Sequence, residues 1–550
     1  MLRVIPLGGV SEIGKNMTLV EQDGEILVID CGLMFPEEEM LGVDIVINDF
    51  RYLIERRDQV RGIVLTHGHE DHIGGLPYLL RDIDAPLWGT RLTLGLVSAK
   101  LEEWGLADHA QMNPIEAGER VTIGPFEIDT MRVSHSIPDG IGLGIHTRYG
   151  VIVHTGDYKV DPTPIDGRMT DLGSFERLGR EGVLLLMCDT TNVERTGFVP
   201  SERVVGQTFQ QVFANATRRV IIATFASNIH RIQQALTVSA EYGRKVAILG
   251  RSMAANTAIA SELGYLSVPP DTLITVPEID FLAANQVTIL TTGSQGEPLS
   301  ALSLMATEEH KKVRVQPGDT VVISATPIPG NEDLVLRTIN HLFRQGADVV
   351  YHPLAPVHVS GHAYQEEQKM MLNLTRPKFV IPVHGERRHV ALYARLAESL
   401  GIPLDHVLRV EPGDIVELTP DSARIAGKVE GGAVMVDGLG VGDVSHVVLR
   451  DRQHLSQDGI LVAVVTVDRA TGKVIAGPEI VSRGFVYMQA SEALIEEAKL
   501  RIQEELAALQ EGEETLDLAA IKADVRASLG KFLYSVTGRQ PMIIPILMEV

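Results

Sequence analysis

The stretch IVLTHGHEDHIGGLPYLL, Ile63 to Leu80, sets three histidines and two acids into His67–His72, between an apolar run and a glycine pair. The run GIVLT has the length and β-branching of a buried strand, and GGLPYLL reads as a loop leading into a helix, so the histidines fall on the turn between them. His67 and His69, two apart in extended chain, face the same way and can grip one ion. Asp71 and His72, one turn later, can grip a second. A lone histidine at such a place is more often a surface or packed residue. An H-x-H-x-D-H cluster at a strand end points to zinc or manganese, which accept imidazole and carboxylate together.

Working outward, the same setting recurs. His135 ends TMRVSH, Asp157 ends VIVHTGD and His384 ends FVIPVH, each after an apolar strand-like run. One of these alone is ordinarily a packed or capping residue, but a site for two ions needs about three more ligands, one of them a shared oxygen donor. The expected arrangement is His67, His69 and His135 on one divalent ion, Asp71, His72 and His384 on the other, and Asp157 shared. The implied chemistry is hydrolysis, with a water activated between the ions as nucleophile.

A chain of 550 residues is expected to hold several domains. Its 45% hydrophobic and 22% charged residues are those of an ordinary globular protein. The formal charge of -23 runs against a generally basic nucleic-acid surface, without excluding a local basic groove or the effect of bound cations. Cys31 and Cys188, the only cysteines, form no CxxC pair, which disfavours both a disulfide framework and a thiolate zinc site. The N-terminal apolar run is too short for a signal peptide and no run approaches a membrane span, so a cytoplasmic protein is expected.

The texture of the chain changes along its length. Short strand-like runs with Gly-rich turns fill the first 200 residues or so. Apolar runs such as RVIIATFA, KVAILG, QVTILTTG and DTVVISATP follow, spaced by helical patterns, as in a parallel sheet with helical crossovers. A block at 351–417 again ends an apolar run on a histidine, and the Gly-rich GKVEGGAVMVDGLGVGDV reads as a connection within 418–450. Beyond it GILVAVVTVD, two helices and MIIPILMEV make a small terminal α/β domain. The helical stretch SEALIEEAKLRIQEELAALQ places Leu494, Ala498, Leu500, Ile502, Leu506 and Leu509 roughly on one face.

Taken together, THGHEDHIGG, HTGD and the later histidines resemble the metallo-β-lactamase fold and its β-CASP nucleic-acid branch. Within that branch the whole chain is similar to the bacterial ribonuclease J family, through PLGGVSEIGKNM, MFPEEEMLGVD, CDTTNVERTG, TFASNIHRIQQ, TTGSQGEP, HVSGHA, PVHGE and SRGFVY. The resemblance implies an α/β fold: a four-layer αββα core over 1–204 and 351–417, a β-CASP domain at 205–350 inserted into it, a linker at 418–450 and a C-terminal domain at 451–550. It also implies hydrolysis of single-stranded RNA, both stepwise from the 5′ end and internally, in RNA maturation (ribosomal RNA included) and messenger decay, and self-association through the C-terminal domain as a homodimer.

Three branch motifs carry over, with Asp189 in CDTTN, His362 in HVSGHA and His384 in PVHGE, the last histidine going with RNA rather than DNA. His362 is the expected proton donor or phosphate clamp, and Asp189 an acceptor that orients a metal-ligating histidine. Around Ser227, Asn228 and His230 a strand gives way to a helix, whose free N–H groups favour an anion, although Ser227 also reads as a plain helix cap. His358, Ser360 and Gly361 offer a second cradle, and together these residues are the expected pocket for a terminal 5′-phosphate. Glu297, Arg387 and Arg388 read equally as substrate contacts or as loop and surface residues. Two other functions fit a bare metal site: hydrolysis of small substrates such as thioesters, and RNA binding without turnover.

Overall fold

The computed structural model describes residues 1–328, 331–468, 474–486, 492–510 and 518–550, and within these the side chains of 109, 508–510 and 518 are left aside. It divides into two compact units, Met1–Phe35 with Ile45–Val434, and Pro36–Asp44 with Met435–Val550.

The first unit is built on two facing sheets. One, of eight strands, runs in the order Ala423–Lys428, Asp414–Leu418, Leu2–Gly8, Met17–Gln22, Glu25–Ile29, Val60–Val64, Leu87–Gly89 and Met112–Pro114. Its Met17–Gln22/Glu25–Ile29 hairpin turns through Asp23-Gly24, both at positive φ (54° and 86°), the geometry that Asp-Gly supplies in two-residue hairpins. The other, of six, runs Phe379–Val383, Val183–Asp189, Gly150–His154, Ile141–Thr147, Phe126–Arg132 and Arg120–Ile123.

Residues alternate between the two faces of this second sheet. Ile152, Leu185, Met187 and Ile381 join Ile29 and Val64 in the core between the sheets. Val153, Leu186, Cys188 and Val380 face outward onto Leu178, Leu372 and Ala394 of helices Leu172–Glu181, Gln365–Thr375 and Arg387–Ser399. Helix Arg91–Glu103 packs beside strands Leu87–Gly89 and Met112–Pro114 of the first sheet, and the architecture is the four-layer αββα sandwich. Strands buried on both faces read as continuous apolar runs, which is why VLLLMC shows no alternation in sequence.

Between these halves of the core lies a six-stranded sheet with every pairing parallel, ordered Leu273–Ile274, Lys245–Leu249, Val287–Thr291, Val220–Ala223, Thr320–Ile323 and Asp348–Tyr351. Its crossover helices bury faces spaced 3 and 4 apart, as Val335, Thr338, Ile339 and Leu342 do in Glu332–Arg344.

The stretch 418–450, expected to be a linker, is structured. Ala423–Lys428 pairs with Asp414–Leu418 as the outermost strand of the eight, and Ala433–Asp437 forms a hairpin with Gly440–Val441. The glycines that suggested a connection sit at the turns, Gly438 at φ 58° and Gly442 at φ 78°, and they mask short strands between them.

In the second unit, strands Val474–Arg483, Ile460–Val467 and Met542–Glu549 form one sheet against helices Glu492–Gln510 and Leu518–Thr537. The segment 36–44 joins it through Asp44 N–H donating to Val436 O (2.9 Å) and Arg452 donating to Leu41 O (2.8 Å). The core face of Glu492–Gln510 is Ile495, Ala498, Ile502 and Leu506, whereas Leu500 is 56% exposed. The expected stripe was one position out of phase at Leu500. Leu509's side chain and Tyr487 of SRGFVY lie outside the described residues.

Candidate metal centre

Strands Phe126–Arg132, Gly150–His154, Val183–Asp189 and Phe379–Val383 run in the same sense, so their C-terminal ends collect at one edge of the second sheet. Strand Val60–Val64 of the facing sheet ends beside them. Past it, His69 O accepts the N–H groups of His72 and Ile73 (both 2.9 Å), starting the single turn Glu70–Ile73 that folds Asp71 and His72 back toward His67 and His69. The return of this turn needs Gly32, where a Cβ would fall 1.7 Å from Asp71 O.

All seven predicted ligand residues meet here, in two groups that share Asp157. In the first, His69 Nδ1 lies 3.0 Å from His67 Nε2 and 3.1 Å from His135 Nε2. In the second, His384 Nε2 lies 2.9 Å from Asp71 Oδ2, and His72 Nε2 lies 3.6 Å from the same oxygen. Asp157 Oδ2 stands between the groups, at 3.6, 3.2, 3.8 and 3.7 Å from Nε2 of His67, His72, His135 and His384. A tetrahedral ion with donors at ~2.0–2.1 Å holds them about 3.3 Å apart. The donor set therefore fits two divalent ions with one common carboxylate.

Each of the five imidazoles has a partner for its other nitrogen, the support that metal-binding histidines require. His72 Nδ1–H donates to Asp30 Oδ2 (2.7 Å), and Asp30 is held by Thr66 N–H (2.7 Å) and Oγ–H (2.8 Å). His67 Nδ1–H donates to Thr66 Oγ (3.1 Å), His135 Nδ1–H to Gly361 O (2.8 Å) and His384 Nδ1–H to Thr191 Oγ (2.6 Å). His69 Nε2 reaches Ser136 Oγ at 3.5 Å.

Burial holds His67 and His135 well below the ordinary imidazole range and brings His69 down to about 4, so their nitrogens are free to ligate. At His72 and His384 burial also opposes charge, but Asp157 and Asp71 outweigh it: His72 is driven well up and His384 to about 9. Against their own burial, Asp71 and Asp157 are held well below the carboxylate range by these histidines. The site is thus built for positive charge, which bound cations supply.

Next to the ligands stands His362, its Nδ1–H donating to Asp189 Oδ2 (2.8 Å) and its ring stacked on His384 with centroids 5.1 Å apart. Among the described residues Asp189 makes no direct hydrogen bond to one of the seven predicted ligands and reaches His384 through Thr191. Its Oδ1 accepts from Thr191 Oγ–H (2.8 Å), and Thr191 in turn meets His384.

Of the substrate candidates, Ser360, Gly361 and His230 are connected to residues of this centre, and His358 to the helix turn that follows Asn228. Asn228, not Ser227, caps helix Ile229–Glu241, its side-chain oxygen accepting from Arg231 N–H at 3.1 Å. His358 Nδ1 lies 3.0 Å from Arg231 Nη1, bringing HVSGH against that helix turn. Ser360 Oγ accepts from Asn192 Nδ2 (2.8 Å) and His362 N–H (3.1 Å). The Gly361 carbonyl accepts from His135 Nδ1–H (2.8 Å), and a Cβ there would lie 2.7 Å from the His135 ring. His230 lines a small recess with His135, Lys159 and Glu202. Arg387 and Arg388 pair with Glu411 (3.1 Å) and Glu194 (3.3 Å), and Gln295 of GSQGEP clamps the neighbouring loop through Thr326 O and Ile328 N–H.

Asp30, Thr66 and Thr191 were missed. The one signal for Asp30 was the acid that ends the strand run EILVID. Replacing Asp30 by alanine is expected to weaken divalent-metal affinity by about 10–100-fold, read by competition with a chromogenic chelator; unchanged affinity would remove its supporting role.

Against known families, residues 11–201 match the metallo-β-lactamase superfamily, 217–342 the ribonuclease J β-CASP domain, 346–407 the RNA specificity domain of Zn-dependent metallo-hydrolases and 447–550 the ribonuclease J C-terminal domain. Ribonuclease J of Thermus thermophilus is 47% identical, covering 100% of this chain and 95% of the relative. Ribonuclease J2 of Bacillus subtilis is 44% identical, covering 100% and 99%, and ribonuclease J 1 of Streptococcus pyogenes 43%, covering 99% and 97%. A solved structure of a protein of unknown function from Enterococcus faecalis covers 76% of this chain and 100% of its own at a TM-score of 0.55 and 16% identity, a likeness of fold alone. No helix among the described residues is long and apolar enough to cross a membrane.

Proposed function

Since the chain belongs to the ribonuclease J family and is a metal-dependent ribonuclease, we propose that it hydrolyses single-stranded RNA in single-nucleotide steps from a 5′-monophosphate end, and also internally, in RNA maturation and decay. The observation that carries the reading is Asp157 Oδ2, within 3.2 to 3.8 Å of four imidazole nitrogens that divide into two ligand groups. His67, His69 and His135 would hold one divalent ion and Asp71, His72 and His384 the other, with Asp157 available to both groups and Zn2+ or Mn2+ equally suited to these donors. When bound, such a pair lowers the pKa of a water and stabilises charge on the phosphoryl oxygens.

The chain's own groups do the rest. With Nδ1–H committed to Asp189, His362 presents Nε2 as the site from which a proton passes to the departing 3′ oxygen. Thr191 ties Asp189 to His384, so the proton donor and the ligand shell hold a common geometry. Ser227, Asn228, His230, His358, Ser360 and Gly361 surround the terminal phosphate, and a closed pocket there sets the one-nucleotide step.

The test is a time course on one 5′-labelled single-stranded RNA bearing monophosphate, triphosphate or hydroxyl, with Mn2+ or Zn2+ added. Labelled mononucleotide at once, fastest from the monophosphate, is expected. Longer labelled fragments with no dependence on the end would remove the pocket and leave an endonuclease.

The protein is further read as a cytoplasmic homodimer joined through its C-terminal domain. Supporting this, the sheet of the second unit turns one face to its helices, while Ile475, Val481, Ile544, Ile546 and Met548 stay 38–56% exposed. Ile544→Arg with Ile546→Arg is expected to give monomers in sedimentation equilibrium; an unchanged mass would place the contact elsewhere.

A further inference from the structure

Arg231, in the first turn of helix Ile229–Glu241, is 0% exposed. All five of its side-chain N–H donors are engaged. Nε and Nη2 form a fork on Glu202, with contacts of 2.9, 2.8 and 3.0 Å. Nη1 donates to Ser324 O at 2.8 Å, and its remaining contact is His358 Nδ1 at 3.0 Å.

A guanidinium can only donate. His358 Nδ1 must therefore accept, and the proton of a neutral ring sits on Nε2. Burial, together with Arg231, holds His358 well below the ordinary imidazole range, which agrees with a neutral ring. Among the described residues Nε2 has no hydrogen-bond partner of its own. Glu202 is itself fixed, 5% exposed, its N–H donating to Asp161 Oδ2 at 3.1 Å. Arg231, with every donor used and no exposed surface, cannot touch a substrate.

We infer that Arg231 is a positioning residue that sets the tautomer of His358, leaving its Nε2–H as the donor by which the terminal phosphate of the RNA is recognised. This rests on the reading that His358 belongs to the 5′-phosphate pocket. Glu202 cancels the charge of Arg231, so what is delivered to the pocket is an oriented hydrogen-bond donor. An oriented donor makes a charge-assisted hydrogen bond to a phosphate oxygen, roughly twice as strong as the neutral one it could make to a hydroxyl.

The experiment uses the full-length protein and one single-stranded RNA with either a 5′-monophosphate or a 5′-hydroxyl, and reads kcat and KM for both. His358→Ala is expected to lower kcat/KM on the monophosphate by roughly 10–100-fold, the range of one hydrogen bond to a charged group, with little effect on the hydroxyl. Arg231→Lys, which keeps the charge but loses the fork, is expected to reproduce most of that loss, chiefly in KM. The double variant is expected to be no worse than His358→Ala. His358→Gln, whose amide nitrogen takes the place of Nε2 and has no tautomer to set, is expected to keep part of the preference and to be indifferent to Arg231→Lys.

If His358→Ala leaves the monophosphate preference intact, the pocket reading falls and the inference with it. If His358→Ala removes the preference but folded Arg231→Lys keeps it, or lowers both substrates equally, the positioning role alone is overturned. Should Arg231→Lys not fold, the 15N shifts of His358 in the wild-type protein decide the matter. A protonated Nε2 with bare Nδ1 is expected, and a proton on Nδ1 would overturn the inference.

Discussion

Replacing Asp157 by alanine is expected to lower RNA cleavage by ~1000-fold or more, because the shared carboxylate serves both ligand groups and metal-ion catalysis contributes several kcal/mol of transition-state stabilisation. The change removes the one oxygen that faces His67, His72, His135 and His384 together. Bound metal, counted by plasma emission on dialysed protein, is expected to fall in the same variant. The sandwich itself should survive, since Asp157 follows strand Gly150–His154 rather than lying in its core, and thermal unfolding by circular dichroism checks this. Full activity in a folded Asp157→Ala protein would mean that the reaction does not use this pair of groups.

The second large effect is expected at His362. Its replacement by alanine takes away the proposed proton donor while leaving the seven candidate ligand residues, so a loss of about 10²–10⁴-fold in the cleavage step is expected with metal content unchanged. The diagnostic is an RNA whose scissile 3′ oxygen is replaced by sulfur, a leaving group that needs no proton. His362→Ala is expected to cleave that substrate at close to the wild-type rate. If the loss persists there, His362 binds the phosphate rather than protonating the leaving group. Asp189→Asn is expected to give a similar but smaller loss, because the amide can still take the Nδ1–H of His362 but no longer stabilises a protonated ring. Restoration of both variants by the sulfur substrate would tie Asp189 to the same proton.

How far these expectations were legible beforehand depended on the range of the interaction. The cluster His67, His69, Asp71 and His72 is local, and its spacing on a strand-to-turn junction is readable from sequence. His135, Asp157 and His384 were readable because each follows an apolar strand, and parallel strands bring their ends to one edge. Asp30 was obscure for the opposite reason. It follows a strand like several other acids, and only its 2.7 Å contact with His72, 42 residues away, gives it a role. The glycines of 427–444 misled, since a glycine at a hairpin turn and a glycine in a linker look alike until the strand pairing is known. Leu500 misled because a helix's buried face is set by what packs on it, and an eccentric leucine is as easily exposed.

The sequence by itself determined the donor types, their expected grouping about Asp157 and the family, because residue chemistry and motif order are properties of the chain alone. Only the tertiary structure decided that Asp30 backs His72, that Thr191 stands between Asp189 and His384, and that Arg231 meets His358 Nδ1. The physical reason is that hydrogen-bond direction and tautomer depend on a few tenths of an ångström between residues far apart in the chain. That precision comes from packing two sheets and a third, parallel one against each other, and no local pattern encodes it.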